Sequence, residues 1–154
     1  MTTIEQSIDV AVPVRTVYNQ WTQFEEFSQF MEGVDRIRQS SPTRTHWATS
    51  IAGVKREFDA EIIEQRPDER IAWASVDGPL QAGVVTFYPI AADTTRVRLQ
   101  LEFAPAGLAE QAADKLNLIE HRIKGDLKRF KAYIESRGIE SGAWRGEVGQ
   151  DPLG

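Results

Sequence analysis

The chain has no cysteine, only two histidines and two methionines, and no long hydrophobic run. Each shortage removes a class of protein. Without cysteine there is no disulfide framework, no thiolate metal site and no thiol nucleophile. The histidines, His46 and His121, share no metal-ligand spacing with carboxylates, so neither a metal centre nor a Ser-His-Asp triad is expected. A glycine-rich phosphate loop is missing too, because Gly83 is isolated and Gly142 and Gly146 lie near the C-terminus. Nothing in the chain calls for a cofactor. The longest mainly apolar stretch, residues 82–92, falls far short of the roughly 20 residues a membrane-spanning helix needs. The start, MTTIEQSIDV, has neither the basic residues nor the apolar run of a signal peptide, which points to the cytoplasm and leaves only peripheral membrane contact open. A net charge of -5 without any Lys/Arg cluster argues against a nucleic-acid partner.

What is present is a globular composition. With 154 residues, 41% hydrophobic and 27% charged, the chain can bury one core of ordinary size. Thr3 to Ala11 alternates as a strand, with Ile4, Ile8 and Val10 on one face. From Pro13, suited to a first helical turn, Val14, Val17, Tyr18 and Trp21 fall on helical spacing. Thr22-x-x-Glu25 reads as a capping box opening a second short helix, which Gly33 ends. Six strand-like segments follow: Val34–Gln39, Arg44–Ile51, Val54–Gln65, Arg70–Val76, Gln81–Pro89 and Thr95–Phe103. Their connections are short, so neighbours are antiparallel, and the first strand joins an edge by way of the two helices. A long helix runs from about Gly107 to Arg137, with Leu116, Ile119, Ile123, Leu127, Phe130 and Ile134 in one apolar arc and Gly138 as its cap. At roughly 45 Å it can cross a whole sheet, since a ten-residue strand is about 33 Å long. Residues 1–138 therefore form the domain, and the Gly-rich 139–154 reads as a loose tail on which Trp144 could dock back.

Strand parity sorts the faces. In the segment from Val54, Arg56, Phe58, Ala60 and Ile62 share one face, while Lys55, Glu57, Asp59 and Glu61 form the wet one. Trp47 faces inward in the strand before and Ile71 with Trp73 in the strand after; Gln81–Pro89 is apolar on both faces, so parity does not sort it, and Val85 with Phe87 is chosen as its inner pair. His46 and His121 both read as solvent-facing. Helices laid over a curved sheet can leave a chamber that side chains only partly fill. Its expected walls are Trp21, Phe24, Phe27, Met31, Trp47, Phe58, Trp73, Phe87, Leu116 and Ile123. Arg56 is the one cation in line with the inner face. It must be paired or sit at a wet mouth, and it could hold a carboxylate, phenolate or enolate. Tyr18 could hydrogen-bond a ligand or pack in the core.

The segments VYNQWTQFEEFSQFMEGVDRIR, REFDAEIIEQRPDERIAW and RIKGDLKRFKAYIESRG, in the order strand, two short helices, six strands, long helix, resemble the START-like, birch-pollen-allergen (SRPBCC) superfamily. Within it the chain looks like the bacterial polyketide cyclase/dehydrase group, over residues 3–138. The resemblance implies an α+β helix-grip fold: a seven-stranded curved antiparallel sheet around the long C-terminal helix, with a ligand cavity between them. Members that catalyse do so largely by shaping a reactive chain, helped by a few polar groups, and no family catalytic motif carries over here. Three functions are then open. The first is binding or carriage of a small hydrophobic molecule such as a lipid, quinone or polyketide-like compound. The second is aromatase/cyclase or dehydratase action on a poly-β-ketone, without metal or covalent nucleophile, in which Arg56 or Tyr18 would assist proton transfer as the only catalytic candidates. The third is a module that recruits a protein or membrane partner.

Overall fold

A computed structural model describes residues 2–51, 54–76, 81–103 and 112–148, with the backbone course alone for 2, 51, 54, 81, 103 and 112–119. Seven strands are seen: β1 (Thr2–Val10), β2 (Val34–Ser41), β3 (Arg44–Ile51), β4 (Val54–Arg66), β5 (Arg70–Ser75), β6 (Gln81–Ala91) and β7 (Thr94–Phe103). They form one antiparallel sheet in the order β1-β7-β6-β5-β4-β3-β2. Helix α1 (Val14–Trp21) and a 3-10 helix (Phe24–Gln29) follow β1, and α2 (Ala112–Arg137) follows β7. This is the curved helix-grip arrangement expected from the sequence.

The topology explains where the helices lie. β1 pairs with β7 along its whole length, from Thr2 opposite Phe103 to Val10 opposite Thr95, so β1 and β2 stand at opposite edges of the sheet. The chain between them, α1 and the 3-10 helix, must cross from one edge to the other. It buries Val17, Tyr18, Trp21, Phe24 and Phe27 as it does so. Helix α2 buries Ile123, Leu127, Phe130 and Ile134, the arc read from its sequence, each contributing about 1.5–3 kcal/mol. Polar contacts fix α2 against β1: Lys131 Nζ donates to the Asp9 carbonyl at 2.9 Å, and Glu135 accepts the Ala11 N–H at 2.7 Å. Gly138 ends the helix in the left-handed region, at φ 69.

Two local expectations are corrected, those for Thr22 and for residues 139–148, and β4 breaks its alternation near its end. Thr22 does not open the second helix. Its hydroxyl donates back to the Asn19 carbonyl at 2.6 Å, and no side chain caps the 3-10 helix at its first residue, because the hydroxyl is already used to close α1. In β4 the pairing shifts between Ile62 and Glu64. This bulge reverses the parity beyond it: Ile63 is exposed, Gln65 is only 1% exposed, and Glu64 pairs outside with Arg66 and Arg70. Residues 139–148 cross back over α1. There Gln20 accepts the Ser141 N–H at 2.8 Å and Thr22 Oγ1 accepts the Trp144 N–H at 3.1 Å. Arg145 donates to Asn19 at 2.6 Å and pairs with Asp68 at 2.8 Å. Gln65 and Val148 exchange two backbone hydrogen bonds at 3.0 Å. Buried amides on α1 need partners, and this segment supplies them.

On the outer face His46 is half-buried rather than free, bonded to Asp59 at 2.6 Å and to Glu57 at 3.1 Å. Hydrogen bonds to Asp59 and then to Glu57 raise its pKa above the ordinary 6.5. A His pKa raised by folding gives stability that is complete below 6.5 and fades as pH climbs through the folded-state value. Thermal unfolding followed by circular dichroism should therefore show His46→Gln melting below the parent protein at pH 5, with the two melting points converging as the pH rises to 9. An unchanged gap across that range would contradict this.

A candidate ligand cavity under the helices

The inner face of the sheet carries a ladder of rings. Trp47 lies opposite Phe58 in the β3–β4 register, their planes 9° apart and centroids 6.0 Å apart. Trp73 stacks on Trp47 from the other side at 6.3 Å. Trp73 can lie flat across the sheet because its cross-strand neighbour is Gly83. A Cβ there would meet the Trp73 ring at 2.4 Å and the Leu101 side chain at 2.8 Å. From the helical side, Phe27 reaches Trp47 at 6.2 Å and Trp21 at 5.4 Å.

Rings this rigid leave space that they cannot fill. A cavity of about 120 Å³, partly open to solvent, lies between the sheet, the 3-10 helix and α2. Seven of the expected wall residues line it: Trp21, Phe27, Met31, Trp47, Phe58, Trp73 and Ile123. Phe24 and Phe87 do not. Both are buried in solid core, Phe24 against Phe27 and Phe87 edge-on between Tyr18 and Trp21. Leu116 lies outside the described side chains. Ligand sites commonly run to about 300–1,000 Å³, so this chamber fits a single ring or a short chain as it stands.

The polar end of the chamber was not read from the sequence. Arg122, Asp126 and Thr49 line it alongside Gly33 and Val34. Asp126 is buried, and its carboxylate accepts the Glu32 N–H at 3.0 Å and the Arg129 guanidinium. Arg129 in turn donates to the Phe30 carbonyl at 3.0 Å. The acid thus fastens the 30–33 loop, part of the chamber wall, to α2. Burial raises its pKa, opposed by the Glu32 N–H and by Arg129. Gly125, without an explanation in the sequence, sits beneath Arg129, whose guanidinium a Cβ would approach at 3.1 Å. A signal for Asp126 did exist: three residues after Ile123 and four before Phe130, it stands inside the apolar arc.

The two catalytic candidates lie elsewhere. The Tyr18 hydroxyl is buried close to the Gln65 side chain, and its pKa is pushed up to about 12 chiefly by burial, which Gln65 opposes. Its ring packs on Phe87 at 5.5 Å with the Arg145 guanidinium 5.5 Å away, so it does not face the chamber. Arg56 lies opposite Thr49 in the β3–β4 register and lines a neighbouring polar depression of about 250 Å³ with Asp35, Arg36, Ala48, Thr49, Lys55 and Glu57. Thr49 belongs to both hollows. No group of acidic or histidine side chains among the described residues could hold a metal ion, and none of their helices is long and apolar enough to cross a membrane.

A long helix gripped by a curved seven-stranded antiparallel sheet, with an apolar chamber between them, defines a helix-grip fold. The chain belongs to the family described as polyketide cyclase/dehydrase and lipid transport, whose profile matches residues 10–131. It is 57% identical over 149 residues, 96% of this chain and 99% of the other, to an uncharacterised 17.2 kDa protein of Streptomyces lincolnensis. Its fold resembles the Zhui aromatase/cyclase of Streptomyces sp. R1128, with a TM-score of 0.75 at 15% identity over 93% of this chain and 99% of that one. It also resembles a START superfamily protein of Mycobacterium smegmatis, with a TM-score of 0.73 at 14% identity over 88% and 98% of the two chains.

The contact across Gly83 makes a direct prediction. Gly83→Ala should push the Trp73 ring towards the chamber and cost about 1–3 kcal/mol, the usual penalty of overpacking. Chemical denaturation would measure it, and a stability unchanged within 0.3 kcal/mol, roughly the noise of such comparisons, would show that the ring moves freely.

Proposed function

We propose that this protein binds and carries a small apolar or aromatic molecule, such as a lipid, quinone or polyketide-like compound, in the chamber between sheet and α2. The observation that carries this reading is a partly open cavity walled by Trp21, Phe27, Trp47, Phe58 and Trp73. A guest burying about 150 Å² there gains roughly 4 kcal/mol at about 25 cal/mol per Å². Three of the wall residues are tryptophans, so occupancy should alter the intrinsic fluorescence.

A second reading is turnover of a polyketide-like chain held in the same place. It is supported by Asp126, a buried acid on the chamber wall whose burial favours the protonated, donating form. Such an acid can pass a proton to a carbonyl or a leaving hydroxyl.

Native mass spectrometry of the purified protein should show one small molecule per chain. Val34→Trp, which places an indole at the chamber wall, should abolish that peak while leaving the far-ultraviolet circular dichroism intact. Equal occupancy in both proteins would remove the chamber as the site. If turnover occurs, Asp126→Asn should lower it at least about 100-fold, the lower range for loss of a general acid, with binding retained. Undiminished turnover would leave carriage alone.

A further inference from the structure

Among the described residues seven cations are half-buried: Arg44, Arg56, Arg98, Arg122, Arg129, Lys131 and Arg145. Five of them hold a carboxylate within salt-bridge distance: Arg44 with Glu61, Arg98 with Glu5, Arg129 with Asp126, Lys131 with Glu135 and Arg145 with Asp68. Arg56 and Arg122 do not. These two come from different elements, β4 and α2, and each neighbours the Thr49–Ser50 segment of β3. Arg122 lines the chamber and donates to the Ser50 carbonyl at 3.3 Å. Arg56 pairs across the sheet with Thr49, the residue before Ser50 and the one shared by the chamber and the polar depression. A guanidinium has five N–H donors. Arg122 uses one of them on a carbonyl, and no hydrogen bond is formed by the Arg56 side chain within the described residues.

The acids nearby are already engaged. Glu57 accepts from Arg36 at 3.4 Å and contacts His46 at 3.1 Å. Asp35 accepts the Ser50 hydroxyl at 2.6 Å. Asp126, close enough to Arg122 for the arginine to favour its ionised form, is held by Arg129 and the Glu32 N–H. Drawing arginines out of water without a counter-charge is unfavourable, and both stand where an apolar guest would end.

Resting on the reading of the chamber as a ligand site, we propose that its guest is an amphipathic anion. The apolar body occupies the aromatic chamber, and a carboxylate or similar anionic group lies at its polar end against Arg122, with Arg56 beside it across Thr49. Burial of a small apolar body alone gives roughly millimolar binding. A charge-assisted pair supplies the remainder and sets the orientation.

Three eight-carbon probes, octanoate, octan-1-ol and octylamine, separate the possibilities, with tryptophan fluorescence as readout and calorimetry as the cross-check. Octanoate should bind at least about tenfold more tightly than octanol, as expected of a hydrogen bond to a charged group, and octylamine most weakly. The advantage of octanoate should shrink with added salt and vanish in the double variant Arg56→Gln, Arg122→Gln. Octanol binding should stay unchanged in that variant, and Lys124→Gln, an exposed cation on α2, should alter neither. If octanol binds and octanoate binds no better, the anion site is refuted and the apolar chamber stands. If none of the three binds, the chamber reading itself falls and this inference with it.

Discussion

The indole of Trp21 holds the architecture together. It is completely buried and meets Phe27 at 5.4 Å, Phe87 at 6.2 Å and Phe130 at 4.8 Å, each edge-on. Those rings belong to the 3-10 helix, β6 and α2, so one side chain of α1 locks four elements at a common point. Edge-to-face pairs contribute about 0.5–1.5 kcal/mol each beyond the burial of their surface. With the helices pinned there, the sheet surface beyond Trp21 is spanned but not filled. The chamber is the remainder of that constraint: rings are wide and stiff, and their angles are fixed by neighbours on both sides.

The chamber's chemistry follows from which charges are neutralised nearby. Asp126 and Arg129 satisfy each other and fasten the 30–33 loop, so the wall next to α2 is bound by hydrogen bonds as well as by packing. At the same polar end Arg122, and Arg56 beside Thr49, have no carboxylate within salt-bridge distance among the described residues. Apolar walls give little directional preference to a guest, whereas an asymmetric charge at one end does. That asymmetry, rather than the size of the hollow, would decide which molecules remain bound.

Most of the fold was legible because periodicity does not depend on distant partners. The seven strands, the antiparallel connections and the buried arc of α2 could be read from local pattern, and parity correctly put Trp47, Phe58 and Trp73 on one face. The failures share a cause, since each depended on a contact remote in sequence. No pattern in IIEQR reveals a bulge that carries Gln65 inward, because its two backbone bonds go to Val148. Thr22 matched a capping motif, yet its hydroxyl turned back on α1 and accepted the Trp144 N–H. Phe24 and Phe87 have the same inward parity as true wall residues, and only the packing of Trp21 and Tyr18 distinguishes filled core from open chamber. Asp126 was legible from helical spacing alone, and so was its i, i+4 relation to Arg122. Whether Arg56 found a partner was not, because the strands flanking it had first to be placed in space.

The return of residues 139–148 across α1 bears on the order of assembly. Asn19, Gln20 and Thr22 are buried polar side chains near the start of the chain. Their partners Glu140, Ser141, Trp144 and Arg145 are made more than a hundred residues later. β1 likewise waits for β7. During synthesis from the N-terminus, the earliest elements therefore remain incomplete until almost all of the described chain has left the ribosome. The sequential strand pairs can form as they emerge, but the edge at β1 and the polar face of α1 are completed last.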